Sequence, residues 1–276
     1  MAEQLTANDF SFVTEFVRQR SAIDLQPGKE YLVESRLAPV ARKIGADGIQ
    51  SLVSRLRSGE DGVASAVVDA LTTNETSWFR DNTPFDAFVS HILPEVAAAS
   101  TTKQLNIWSA ACSSGQEAYS LAMLLLDWLP ANPGFTAQIH GTDISRAMVE
   151  RARAGRFTQL EVNRGMRASY LVRYFAQVGR EWQLKPEVAN LCRFAEGNLA
   201  LPPVGVPMSD VVFLRNVLIY FDVPTKRKVL AHVRQVLRPG GYLVLGGAES
   251  TLTLDDAFTR VEVGRTSVYR FTGGRA

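Results

Sequence analysis

Five stretches of this chain combine residue types and spacings that could do chemistry, four of them where an apolar run gives way to polar residues. The stretch SAACSSGQEAYS (109–120) sets Ala110, Ala111, Ser113, Ser114 and Gly115 ahead of a helical pattern. Small residues let a ligand come close to the backbone, and a helix start offers unpaired N–H groups. The string is not G-x-G-x-x-G, and a tight strand-to-helix turn without a ligand explains it equally well. In GTDIS (141–145), Asp143 lies 26 residues after Glu117. A carboxylate at the end of a second strand can accept from both hydroxyls of a ribose, or it can cap the helix that follows. Together the two stretches suggest an adenosine site. EGNL (196–199) and FLRNVLIYF (213–221) bring Asn198 and Asn216 to the same rim, where each could read an adenine edge or an amino-acid group, or simply make a turn. Tyr220 follows Asn216 by about one helical turn, so its hydroxyl either faces that cleft or packs in the core. TTNETSWFR (72–80), a polar cluster running into two aromatics and an arginine, fits neither an amphipathic helix nor a plain linker and reads as a site segment.

The elements that must position these residues change character near residue 75. Before it the pattern is helical. Asn8 or Asp9 could cap a helix through Phe10, Val13, Phe16 and Val17, and the stretches Tyr31 to Ile44, Ile49 to Leu56 and Val63 to Leu71 follow, broken by glycines. Pro39 is expected to kink or split the second stretch. After residue 100, short apolar runs alternate with amphipathic ones, the pattern of an α/β domain with a parallel sheet and crossover helices. The expected strands are Leu105 to Ser109, Ala137 to Thr142, Leu191 to Ala195, Asp210 to Leu214 and Tyr242 to Gly246. The expected helices are Gln116 to Leu129, Arg146 to Ala154 and Val223 to Leu237. Phe258 to Phe271 reads as a closing hairpin, and about 174–190 as a small β insertion turning at Gly179-Arg180. The domain division expected is 1–75, all helical, and 76–276, α/β. Ligands of open α/β sheets bind at the carboxyl ends of the strands, where four of the five stretches fall.

With 276 residues, 46% hydrophobic and 21% charged, the chain can bury a sizeable core, which excludes disorder, collagen and coiled coil. Its longest apolar run, Leu121 to Leu126, is far below the roughly 20 residues of a membrane span. The first residues, MAEQLTANDF, lack the basic and apolar regions of a secretion signal, so a cytoplasmic location is expected. A net charge of +2 is too small for generic nucleic-acid binding. Two cysteines, Cys112 and Cys192, and three scattered histidines make neither a disulfide framework nor a complete zinc site, so no metal is expected.

In their order and spacing, TTNETSWFR, SAACSSGQEAYS, GTDIS, EGNL, FLRNVLIYF and LRPGGYLVLGGAES resemble the CheR family of chemotaxis receptor methyltransferases, over nearly the whole chain. The resemblance implies a Rossmann-like methyltransferase domain with S-adenosylmethionine as cofactor, S-adenosylhomocysteine as product, and chemoreceptors as partners. Glutamates on the cytoplasmic receptor helices would become methyl esters. It places Asn74, Thr76 and Arg80 at the methionine end, has Glu117 and Asp143 hold the cofactor, and sets Asn198, Leu199, Asn216 and Val217 around the adenosine. Gln116 and Ala118 stand where the family more often has Glu and Pro. The expected protein is a monomer without membrane insertion. The alternatives are an adaptor that keeps the cofactor fold without activity, and a methyltransferase with another acceptor.

The chemistry so implied asks for no general base, because a glutamate with an ordinary pKa near 4.3 is already ionised at pH 7. Arg80 would align the acceptor carboxylate and Tyr220 would hydrogen-bond it. Between Lys29 and Arg57, six basic residues face three acids. Either these are solvated helix faces, or Arg36, Arg42, Lys43, Arg55 and Arg57 dock acidic receptor helices. The turn of the insertion is short, which favours a member that does not bind a receptor's C-terminal peptide there.

Overall fold

The structure, a computed structural model, describes residues 5–273. The chain divides into two compact units: the residues up to Thr73 together with Tyr220–Thr225, and Asn74–Ile219 together with the residues from Lys226 onward.

The first unit is built on helices Ala7–Ser21, Glu30–Lys43, Ile49–Arg57 and Val63–Leu71. Each buries a stripe at spacings of three and four, such as Phe10, Val13 and Val17, so one face of each helix supplies the core. The first helix is capped by Thr6 rather than Asn8 or Asp9. The extended backbone of Thr6 lets its Oγ1 accept from Asp9 N at 3.1 Å, which places Asp9 inside the first turn. Pro39 does not split its helix, which runs from Glu30 to Lys43. Pro39 and Ser35 are both exposed, so the Ser35 carbonyl that loses a donor can be hydrated while the buried stripe holds the opposite face.

In the second unit, seven strands form one sheet: β1 (Gln104–Ala110), β2 (Thr136–Asp143), β6 (Cys192–Glu196), β7 (Ser209–Leu214), β8 (Leu237–Leu245), β9 (Phe258–Val263) and β10 (Thr266–Phe271). Their order is β6-β2-β1-β7-β8-β10-β9. The first five in this order are parallel, and the closing hairpin is antiparallel. Helices Gln116–Trp128, Arg146–Ala154 and Val223–Val236 are the crossovers. The expected strand Tyr242 to Gly246 begins earlier and ends one residue sooner. Leu237 already pairs with Ser209, a bulge follows, and Arg238–Gly241 loops out before pairing resumes at Tyr242. Helix Thr83–Ala87, a π turn Phe88–Ile92 and helix Leu93–Ala99 add a helical run that precedes β1.

The insertion has three strands, not two. β3 (Arg156–Thr158) joins β4 (Phe175–Val178) and β5 (Glu181–Leu184) in the order β3-β5-β4, with Gly179 at φ 63° in the turn. Three residues directly after the helix-ending Gly155 are too few to show an alternating pattern.

Candidate functional site

The chain leaves β1 for β2 on one side and returns through β7 on the other, so the crossovers part at the carboxyl ends of β1 and β7. The loops there are 110–116 and 214–218. Nine non-glycine residues among those described have positive φ. Four of them, Phe79, Ala111, Ser113 and Asn216, lie on the site segments, and two more, Asp81 and Asn82, directly follow the 72–80 segment. Left-handed backbone at ordinary residues persists only where the surroundings enforce it, and it gathers at functional sites.

Asp143, 5% exposed, is one of the enforcing groups. It accepts from Ser113 N at 2.8 Å through one carboxylate oxygen and from Ser145 N at 2.9 Å through the other. It does not cap the next helix, because Ser145 Oγ takes that position by accepting from Met148 N. Cys112 N donates to Thr142 O and Gly197 N to Asp143 O, both at 2.9 Å, so the ends of β1, β2 and β6 are laced together. Gly115 makes the tight turn at φ 93°. A Cβ there would stand 3.1 Å from both Ala152 and Tyr119.

The segment before Arg80 is anchored by its aromatics. Trp78 packs edge-on against Phe157 of β3 and Phe175 of β4, with centroids 4.8 and 5.4 Å away, and its amide donates to Arg164 O. Gly165 is required opposite it, since a Cβ would come within 2.1 Å of Trp78 O. Phe79 sits between Phe85 and Tyr170, and its N donates to Ser120 Oγ at 3.1 Å. Asn74 O accepts from Ser113 Oγ at 2.7 Å, joining this segment to the β1 loop. Thr76 and Arg80 are half-buried, and Arg80 Nη1 donates to Glu75 O.

Beneath Arg80 lies a cation that the sequence reading passed over. The Arg215 side chain is 1% exposed and reaches Asp81 Oδ2 at 2.7 Å, Arg80 O at 2.8 Å and Glu117 Oε2 at 3.1 Å. Ser109 Oγ donates to the other oxygen of Glu117 at 2.8 Å. Burial pushes the Glu117 carboxyl above the ordinary glutamate range, and Arg215 and Ser109 oppose that rise. The available signal was a lone arginine closing the fully buried strand Ser209–Leu214.

Glu249 was passed over too. One of its oxygens accepts from Val217 N and Leu218 N at 2.8 and 2.7 Å, and the other from Asn216 N and Gly246 N, both at 2.7 Å. Asn216 and Val217 thus owe their place to a carboxylate 33 residues further on. Asn198 and Leu199 lie elsewhere on the rim, lining a cavity of about 220 Å³ with Trp108, Thr142 and Pro202. Leu199 O is held by His232 Nδ1 at 3.0 Å. Tyr220 belongs to the helical unit, where its carbonyl accepts from Asp24 N.

The five basic residues of the helical unit divide. Arg36 donates to Leu71 O and Thr73 Oγ1, Arg55 to Ile44 O and Gly45 O, and Arg57 to Asp9, with its guanidinium 4.0 Å from the centre of the Phe12 ring. Arg42 and Lys43 are exposed. Among the described residues no three His, Cys, Asp or Glu are grouped to hold a metal ion, and no helix is long and apolar enough to cross a membrane.

Residues 74–266 match the model of the CheR methyltransferase SAM-binding domain, and residues 8–72 that of the CheR methyltransferase all-alpha domain. The chain is 39% identical to chemotaxis protein methyltransferase 1 of Pseudomonas aeruginosa, over 95% of this chain and 97% of that one. It is 39% identical to the chemotaxis protein methyltransferase of Vibrio parahaemolyticus, over 95% of each chain. The Escherichia coli chemotaxis protein methyltransferase is 32% identical, over 94% of this chain and 91% of that one.

Proposed function

We propose that this chain, which belongs to the CheR methyltransferase family, methylates glutamate side-chain carboxylates on the cytoplasmic helices of chemoreceptors, using S-adenosylmethionine. The observation that carries the reading is the convergence of the Arg80 segment, Glu117, Asp143 and the 216–217 loop at the carboxyl edge of one methyltransferase sheet.

The residues present fit the cofactor. Glu117 and Asp143 are acceptors for its amino and ribose hydroxyl groups, the cavity beside Asn198 and Leu199 is apolar enough for a planar base, and Asn74, Thr76, Asn216 and Val217 complete the rim. When bound, S-adenosylmethionine supplies an electrophilic methyl group on a sulfonium. This chain's part is then to bind, orient and exclude water. Arg80, held by an aromatic anchor and a strained backbone, presents a guanidinium that aligns an acceptor carboxylate without moving far. Alignment has to stop short of a tight bidentate pair, which would blunt the carboxylate as a nucleophile. No side chain needs to remove a proton, since the acceptor is ionised at neutral pH. Tyr220 adds a hydroxyl that can donate to the acceptor.

Receptor docking falls to Arg42 and Lys43, because Arg36, Arg55 and Arg57 are taken up by contacts within the helical unit. The two-residue turn of the insertion supports recognition without a C-terminal peptide tether, which calorimetry with the C-terminal pentapeptides of receptors from the same organism tests. Micromolar binding to any of them would overturn that part.

The test of the reading is transfer of labelled methyl from S-adenosylmethionine to receptor cytoplasmic fragments. Label released as methanol by mild alkali is expected, as for an ester. Alkali-stable label would mean another acceptor chemistry. Absence of S-adenosylhomocysteine binding would favour the inactive adaptor.

A further inference from the structure

We propose that Arg215 is a positioning residue whose buried guanidinium locks the Glu117 carboxylate, on the cofactor side, to the Arg80 loop, on the acceptor side. This rests on the roles proposed above for Glu117 and Arg80.

Three contacts define it. Nη1 of Arg215 meets Glu117, while Nη2 is shared between the Asp81 carboxylate and the Arg80 carbonyl. Its Nε is buried with no hydrogen-bond partner among the described residues. A guanidinium buried at this cost is poor at stabilising a fold, since an apolar side chain of similar volume would do as well. What it supplies here is geometry. The fixed fork of an arginine reaches two carboxylates and a carbonyl at once in a set geometry, which the point charge of a lysine does not impose. Arg80 sits between Phe79, at φ 47°, and Asp81, at φ 68°, so its loop needs such a tie to keep its course.

The same contact sets the charge of Glu117. The groups around that carboxyl are Arg215, which also carries Asp81, the Ser109 hydroxyl, Glu249, and Cys112 in the β1 loop. Burial and Glu249 favour the neutral acid. Arg215 is the first of the groups that oppose them. Without it Glu117 would hold its proton to higher pH and could no longer accept at both oxygens.

The experiment uses the full chain with Arg215→Gln, Arg215→Lys and Asp81→Asn. S-adenosylhomocysteine titrations between pH 6 and 9 are combined with steady-state methylation of a receptor cytoplasmic fragment. For Arg215→Gln, affinity should weaken toward low pH and recover on going to pH 9, with the loss setting in at higher pH than in the unaltered protein. Arg215→Lys should restore the unaltered profile but only part of kcat. Asp81→Asn should lower kcat several-fold and leave cofactor affinity unchanged. A folded Arg215→Gln protein with the unaltered profile and kcat would overturn the proposal. If that variant does not fold, Arg215→Lys with full kcat together with an unaffected Asp81→Asn would do so. If the unaltered protein binds S-adenosylhomocysteine but methylates no fragment, the acceptor reading fails. The pH dependence of binding still decides the cofactor arm.

Discussion

The Arg80 loop and the Asn216 loop are held in left-handed backbone by opposite means. Beneath the first a buried cation gathers two carboxylates and a carbonyl. Behind the second a half-buried carboxylate gathers four backbone amides. Adjacent residues meet the two devices, Arg215 through its side chain and Asn216 through its amide. A carboxylate that binds amides is indifferent to the side chains it holds, so it can shape a loop whose side chains face a ligand. A guanidinium that binds side-chain charges ties together elements far apart in the chain and tunes their ionisation as well.

That contrast can be broken from either side. The largest effect expected is on Arg80→Ala, whose guanidinium does little for the core. Methyl transfer should fall about a hundredfold or more, with unfolding free energy changed by less than about 0.5 kcal/mol. Near-normal turnover in a kinetic assay would give Arg80 another role. Next is Glu249→Gln, which puts an amide donor against two of the four amides. Urea unfolding should show a loss of about 2–3 kcal/mol, and a loss under about 0.5 would mean the four amides find water instead. For Asp143→Asn the charge is removed but the shape kept, and S-adenosylhomocysteine affinity should drop by about 1.5–3 kcal/mol. Unchanged calorimetric affinity would leave Asp143 as a tie between loops and nothing more. Gly246→Ala sharpens the contrast, since a Cβ there would lie 2.7 Å from both Asn216 Nδ2 and Glu249 Oε2. It should cost about 1–3 kcal/mol and weaken cofactor binding without touching the Arg80 loop. The smallest effect is on reversing Arg42 and Lys43 to Glu. The KM for a receptor fragment should rise a few-fold at low salt and return near normal at high salt, with cofactor binding unchanged.

A pH prediction follows from Glu117. Its folded pKa is raised, so the native state binds more protons than the unfolded chain just above the ordinary glutamate pKa. This group's contribution to stability is therefore largest at low pH and is lost as pH rises toward the folded value. Arg215→Gln should raise that pKa further and extend the loss to higher pH, as unfolding measured from pH 4 to 8 would reveal.

The order of the strands and crossovers was legible because each strand of a doubly covered sheet is a short apolar run. The helix Arg146–Ala154 has the bounds expected of it, although its cap is Ser145 and not Asp143. The helical run from Thr83 to Ala99 was not anticipated, because Pro84 and Pro94 interrupt it. Pro84 lies in a first turn, and Leu93 N reaches back to Phe88 O in a π turn just before Pro94. Pro39 did not split its helix for the complementary reason: a proline breaks a helix in a peptide, whereas tertiary burial of the opposite face can keep it continuous.

The sequence by itself determined the α/β class and the type of most elements, and it pointed to the carboxyl rim of the sheet, because periodicity and the polar ends of apolar runs are local properties. It also carried the family motifs with Asn74, Arg80, Glu117, Asp143 and Asn216. Only the tertiary structure decided which charges meet which partners. Arg36, Arg55 and Arg57 turn to carbonyls and an acid of their own unit, while Arg215, unremarked in its apolar strand, meets partners up to 135 residues away. Charge pairing depends on distance through space and on loss of water, and neither is encoded in the spacing of residues along a chain.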